Sequence, residues 1–238
     1  MPKAGRIAIM QPGYLPWLGF FEMMHRCDLF VFLDDVQYTR KDWRNRNKIR
    51  TKEGWIFLSV PVFTKNKRFQ LINEAQIDNE ETWKKKHLHS LEINYRKTAY
   101  FEEYFPELRE IYGKDWNYLA DLDIEITAWL SKKFGIATPW IRSSVLKTTG
   151  KKEEKIINIC KAVGAEVLYD TKAASEILDL KIIQDAGIKI EFQDYLHPTY
   201  RQICEPFIPY MSAIDLLFQH GPESLEILLC KKAANIKR

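Results

Sequence analysis

Apolar positions in this chain follow two rhythms, short unbroken runs bounded by Gly, Pro or Asp, and longer stretches where they recur every three or four residues. The first run, Arg6–Met10, is too short and too apolar for an independent helix and predicts a buried strand. Pro12, Gly13 and Pro16 forbid regular pairing or a helix start before about Leu15, so the chain must turn there. Leu18, Phe21 and Met24 then recur at helical spacing, supplemented by Phe20 and Met23, which predicts a helix ending near Cys27. Residues 29–33 predict a second strand, followed at once by Asp34 and Asp35. Strand, helix and strand in about 30 residues make the βαβ unit of a parallel sheet.

Further along, 38–52 reads as a basic loop and 55–62 as a strand whose Pro61 marks an edge or an end. Residues 64–68 form a second basic loop, and 69–79 predict another short strand. The pattern over 81–135 is helical: Trp83, His87, Leu91 and Tyr95 are spaced by four and share one face, and 119–134 is amphipathic with Gly135 as its stop. A strand is expected over 139–146, and RSSVLKTTGKKEEKIINICKAVGAEVLYD repeats the strand, polar turn, helix, strand order of the opening, with its helix over 156–163 and its closing strand over 166–170. Helices are expected over 173–179 and 181–186, and a strand over 188–193. A helix over 212–218 follows, with Ser212 as cap and Asp215 completing a capping-box-like arrangement. A last helix, 224–232, runs into a basic tail. The fold class is α/β with a mostly parallel, Rossmann-like sheet, residues 1–238 forming one domain and 80–136 a helical insertion within it.

Composition narrows the class. A chain of 238 residues buries a sizeable core without cross-links. Its four cysteines, Cys27, Cys160, Cys204 and Cys230, show neither paired spacing nor a dense framework and read as the reduced thiols of a cytosolic protein. No secretory-type apolar leader and no run near the roughly 18 apolar residues of a membrane helix is present, so a soluble, cytoplasmic protein is expected. A net charge of +4 announces no nucleic-acid binder by itself but permits an anionic ligand. The five histidines form no His-x-x-x-His pair beside a carboxylate, so no zinc site is expected.

Candidate chemistry concentrates in 11–50. Free N–H groups at a helix start after the Pro/Gly turn can bind phosphate. In a parallel sheet, Gln11, Asp34 and Asp35 would share the carboxyl rim where ligands sit, although Asp34 could instead cap a turn and Asp35 be merely solvated. The 40–52 stretch is either a solvated face or a diphosphate grip, with Arg46 bidentate and the Asn45 and Asn47 amides beside it. The lysine-containing run 151–155 at a helix start is either solvated or offset by a bound anion. Asp34, Asp35 and His197 are the candidates for acid/base work, and Asn47 for an oxyanion donor. Tyr14, Trp17, Gln37, Tyr38 and Tyr95 are further candidate substrate contacts. So are Tyr200, Gln202 and His87, although His87 could equally be a core-satisfied or exposed imidazole.

QPGYLPWLGFF, DLFVFLDDVQYTRKDWRNRNKI, WKKKHLHSLEINYRK, and YLHPTYRQ followed by SAIDLLFQHG resemble, in order and across nearly the whole chain, the WbqC-like family. That resemblance implies an association with bacterial surface-polysaccharide and O-antigen (lipopolysaccharide) gene clusters. One departure is YDTKAASEILD, where relatives tend to carry a Gly-containing YxSG-type stretch. The opening strand, Gln-Pro turn and helix are also similar to the HxGH turn of nucleotidyltransferases, with Trp17 and Phe20 standing where that motif has histidines. Together these imply a cytosolic transferase that N-acylates or aminoacylates a nucleotide-linked amino sugar, its acyl or aminoacyl donor unnamed. The alternatives are an ATP-dependent nucleotidyltransferase-like ligase and a non-catalytic RNA- or partner-binding module, with tRNA as the RNA. ATP and magnesium are the candidate cofactors, with Asp34, Asp35 and His197 as the magnesium candidates.

Overall fold

The computed structural model describes residues 5–230 apart from 66, 68 and 81. In chain order its elements are β1 (Arg6–Met10), α1 (Leu18–His25), β2 (Leu29–Phe32), β3 (Arg46–Thr51), β4 (Gly54–Ser59), α2 (Trp83–Tyr95), α3 (Phe101–Gly113) and α4 (Leu119–Lys133), followed by β5 (Trp140–Arg142), α5 (Ser143–Leu146), α6 (Glu153–Val163), β6 (Val167–Asp170), α7 (Leu180–Asp185), β7 (Lys189–Phe192), α8 (Ile214–His220) and α9 (Ser224–Leu228). Short 3-10 turns lie at Ile72–Glu74, Lys172–Glu176 and Gly221–Glu223. Asn66 and Arg68 of the second basic loop, and the expected tail with the end of the last helix, lie outside the described residues. No helix among the described residues is long and apolar enough to cross a membrane.

Internal contacts divide the chain into two compact units. The first comprises Met1–Gln11, Glu22–Val36 and Ala137–Tyr195. It holds a five-stranded sheet in the order β5-β2-β1-β6-β7, with every pairing parallel. Numbered by their sequence order within this sheet, the strands run 3-2-1-4-5, so the order reverses between β1 and β6. Two-residue alternation sends Ile7 and Ile9 to one face, where they pack with Val31, Leu168 and the Ile156, Ile159, Cys160 and Val163 stripe of α6. Gly164, at φ +67, ends α6 in the left-handed region that glycine adopts without strain, and the Ala165 N–H donates back to the Cys160 carbonyl at 2.8 Å.

The second unit comprises Pro12–Phe21, Gln37–Ile136 and Leu196–Arg238, so α1 contributes residues to both. It is built from the antiparallel β3–β4 hairpin, the α2–α4 helices, and α8 and α9. The four-residue period of α2 reports its packing directly: Trp83, His87, Leu91 and Tyr95 are its buried residues. Helix α4 stops as expected, with Gly135 at φ +74 and the Ile136 N–H bonded to the Ser131 carbonyl.

Several elements differ from their sequence signals. Residues 46–51 form a strand, because Asn47, Ile49 and Arg50 are buried in the hairpin and supply tertiary contacts that override a charged, loop-like composition. Residues 69–79 make isolated bridges and a 3-10 turn in place of a strand; their backbone pairs singly, Gln37 with Leu71, Val62 with Ile77 and Gln76 with Tyr118. The strand expected over 139–146 stops at Arg142, and Ser143 turns the chain into α5. Asp215 closes no capping box, since it is fully buried and bonded to other partners.

Candidate functional site

At the carboxyl end of β2 the two aspartates form a brace. Asp34, fully buried, accepts from Arg142 Nε at 2.7 Å, from the Ser144 N–H at 2.9 Å and from the Ser144 hydroxyl at 2.8 Å, with the Ser143 hydroxyl 3.2 Å away. Asp35 accepts from the Ser143 hydroxyl at 2.5 Å and from Lys155 Nζ at 2.5 Å, while Lys155 also donates to the Thr148 carbonyl at 2.6 Å. These bonds join β2 to β5, α5 and α6. The donors around the pair are cations and hydroxyls, the opposite of the acceptor-rich shell that magnesium requires, so the residues present do not fit that ion.

The start of α6 tells a related story. Lys151 and Lys152 precede the helix, its first turn carries Glu153 and Glu154, and the buried Lys155 is neutralised by Asp35. The charge pattern there is compensated within the protein, so it no longer calls for a bound anion.

Two strand ends flank the reversal of sheet order. Gln11 follows β1, and β6 closes on Asp170. Burial pushes the Asp170 carboxyl up to about 6, against the opposing hydrogen bond from the Thr171 N–H, which donates to Oδ1 at 2.7 Å. Sequence patterning passed over Asp170, reading it only as the end of a strand; its signal is a carboxylate closing the strand next to β1. In the same unit, Glu22 of α1 is buried and accepts from Arg26 Nε at 3.0 Å, from Gln193 Nε2 at 2.7 Å and from the Tyr169 hydroxyl of β6.

The remaining candidates belong to the second unit. The turn before α1 is pinned by Asn47, whose Nδ2 donates to the Leu15 carbonyl at 2.7 Å and whose Oδ1 accepts the Lys48 N–H. Leu15 lies at φ +46, which these contacts help to hold. Trp17 bridges to Ser212 and its ring lies 5.8 Å from that of Tyr210; a Cβ at Gly19 would collide with the Trp17 indole, which explains the small residue there. Gln37 is exposed, and Tyr38 is buried with its hydroxyl pushed up to about 12 by desolvation.

Tyr95, Tyr200 and Gln202 converge on Asp215. Asp215 Oδ2 accepts from the Tyr200 hydroxyl at 2.8 Å and Gln202 Nε2 at 2.9 Å, while the Tyr95 hydroxyl accepts the Arg50 N–H at 2.8 Å. Arg50, 1% exposed, places Nε on Gln202 Oε1 at 3.3 Å and its terminal nitrogens on the carbonyls of Thr51, Gly54, Cys204 and Pro206 at 2.6–3.0 Å. His197 is engaged at both nitrogens: Nδ1 lies 2.8 Å from the Pro198 carbonyl, and Nε2 accepts the Tyr210 N–H at 3.1 Å. Burial lowers its pKa. Together with the bonds already made by Asn47, this geometry favours positional roles for both.

Asn45, Arg46 and His87 do come together, lining one cleft of about 470 Å³ with Lys41, Ser59, Val60, Pro61, Trp83 and Lys86. Burial draws His87 down to about 4, so the imidazole is neutral at physiological pH, and Nδ1 lies 2.8 Å from the Tyr14 hydroxyl. Tyr14 in turn contacts the Tyr112 hydroxyl, and burial raises the pKa of both phenols and of the fully buried Asp123. Trp83 and Lys86 were invisible as ligands in the sequence, where they read as helix core and helix surface.

The WbqC-like protein family matches residues 11–227. The chain belongs to the WbqC-like protein family. A relative in Mycobacterium tuberculosis, described as uncharacterized protein Rv1507c, is 33% identical over 225 residues, covering 94% of this chain and 97% of its own. No solved structure matches the chain. Within this WbqC-like chain, Asp34 and Asp35 supply the brace of the first unit, and Tyr200, Gln202 and Asp215 form the buried network of the second.

Proposed function

We propose that this WbqC-like protein is a transferase that N-acylates or aminoacylates the amine of a nucleotide-linked sugar. The observation that carries the reading is the reversal of strand order between β1 and β6, with Gln11 and Asp170 at the carboxyl ends of the two strands. Crevices at such reversals are where open parallel sheets bind nucleotides. An amine attacking an acyl carbon forms the C–N bond, expels the donor's leaving group and sheds a proton. A carboxylate titrating near 6 is a better base for that proton than an ordinary aspartate and is still ionised at neutral pH. Gln11 lies at the same rim, directly after β1.

Thermal stability in the presence of UDP-, GDP- and dTDP-linked amino sugars is the first test, followed by mass spectrometry of the sugar nucleotide after incubation with acyl donors. Stabilisation and a gain of one acyl group are expected. Stabilisation by ATP–magnesium with no response to any sugar nucleotide would sink the reading in favour of a nucleotidyltransferase-like ligase. A second reading, RNA contact, is favoured by one feature of the hairpin and the loop before it: Trp43, Trp55 and Phe57 are exposed, with the Arg46 guanidinium 4.4 Å from the Phe57 ring and Lys48 Nζ 4.2 Å from that of Trp55. Interleaved rings and cations suit stacked bases, and tRNA affinity that ignores salt would remove this reading.

A further inference from the structure

We propose that the cleft of the second unit, lined by Lys41, Asn45, Arg46, Trp83, Lys86 and His87, binds the phosphate group of a small ligand that also presents an N–H donor. Its lining residues include three cations and no acid. The cations come from separate places, Lys41 from the loop before β3, Arg46 from the first position of β3 and Lys86 from α2, so folding and not sequence adjacency brings them to one cleft. A carboxylate has two oxygens to offer such a set; a phosphate has at least three and a higher charge, and its oxygens accept best from Arg and Lys donors.

Two buried polar atoms sharpen the inference. Trp83 is 3% exposed, and its Nε1–H has no hydrogen-bond partner among the described residues. Asn45 uses Nδ2 on the Val60 carbonyl at 2.9 Å, while its Oδ1 is buried without a partner. Buried groups of this kind are normally satisfied, by protein, water or ligand. One is a donor and the other an acceptor, matching a phosphate oxygen and a neighbouring N–H on the same molecule. The cleft also lies at the start of a 13-residue helix whose Thr82 cap makes no side-chain hydrogen bond, and that end of a helix favours an anion. The neutral imidazole of His87 adds a wall and no charge. A volume of about 470 Å³ is that of a small-molecule site.

This inference is independent of the nucleotide-sugar reading. The probes are inorganic pyrophosphate and, separately, a single-stranded RNA oligonucleotide, titrated calorimetrically into the full chain and into Trp83→Phe, Arg46→Gln, Trp55→Ala and Asp170→Asn. Saturable pyrophosphate binding is expected, weakened about tenfold by Trp83→Phe, which deletes one charge-assisted hydrogen bond, and by at least as much in Arg46→Gln. Should Trp83→Phe fail to fold, Arg46→Gln, at the partly exposed start of β3, carries the test. Pyrophosphate binding should be unchanged in Asp170→Asn, which alters the first unit's sheet and not the cleft, and its loss there overturns the proposal. No pyrophosphate binding, or binding indifferent to both cleft variants, overturns the proposal. So does binding of RNA alone, abolished by Trp55→Ala.

Discussion

Asp170→Asn should make the protein more stable at neutral pH, and by an amount that depends on pH. The carboxyl is raised from an ordinary 3.8 to about 6 because the partly buried end of β6 disfavours its charge. A folded-state pKa above the unfolded value means that the acid form favours folding: that stability is complete below about pH 4 and is lost as pH rises through about 6. Above that range the wild type carries an ionised group that the fold disfavours. The interval corresponds to about 3 kcal/mol at 1.36 kcal/mol per pKa unit, and partial exposure brings the expectation to about 2 kcal/mol. Asparagine keeps an Oδ1 that can accept the Thr171 N–H, so the hydrogen bond at 2.7 Å survives while the charge is removed. Urea unfolding at a series of pH values from about 4 to about 8 reads the difference directly, provided the slope is unchanged. The variant should match the wild type at the acid end and exceed it increasingly up to a plateau. Equal stability at every pH would refute the burial argument, and a gain that is the same at acid and neutral pH would show that it is not electrostatic. On the proposed reading the same substitution should abolish transfer, since an amide cannot take the proton that the attacking amine sheds.

Two other substitutions test the braces. Arg50→Lys leaves three N–H donors for five acceptors in a buried setting, so a loss of about 2–4 kcal/mol is expected from the urea midpoint; a loss below about 1 kcal/mol would show that those carbonyls find water instead. Asp34→Ala strips the acceptor from Arg142 and Ser144 and should cost about 3 kcal/mol, with kcat per folded molecule retained; a collapse of kcat at unchanged Tm would instead put Asp34 in the chemistry.

Where one face of an element is buried against a single neighbour, the sequence announces it. The apolar run Arg6–Met10 coincides with β1, the period-four residues of α2 are its buried set, and Gly135 ends α4 at a positive φ. Periodicity fails where polar residues are buried. Residues 46–51 look solvated because Arg46, Asn47, Lys48 and Arg50 alternate with little apolar content, yet Asn47 and Arg50 are core residues satisfied by backbone carbonyls from distant segments. A linear pattern records the charge of a side chain and not the acceptors that folding brings to it. Asp215 illustrates the same limit, since a local capping partner and a buried acceptor of Tyr200 and Gln202 read alike in sequence.

The candidate site was legible to the extent that its chemistry was local. Asn45 and Arg46 were visible as a diphosphate grip and His87 as a candidate substrate contact, and the fold places them on one cleft across some 40 residues of sequence. The aspartates after β2 were visible too, but the residues that engage them, Arg142, Ser143, Ser144 and Lys155, lie more than 100 residues away and could not be paired by inspection. Charged residues whose every donor or acceptor is matched within the protein hold geometry. Polar groups left buried without a partner, or a carboxylate held at a raised pKa where a parallel sheet reverses its strand order, are what a ligand can complete. By that criterion the two proposals rest on Asp170 in the first unit and on Trp83, Asn45 and the neighbouring cations in the second, in place of Asp34, Asp35 and His197.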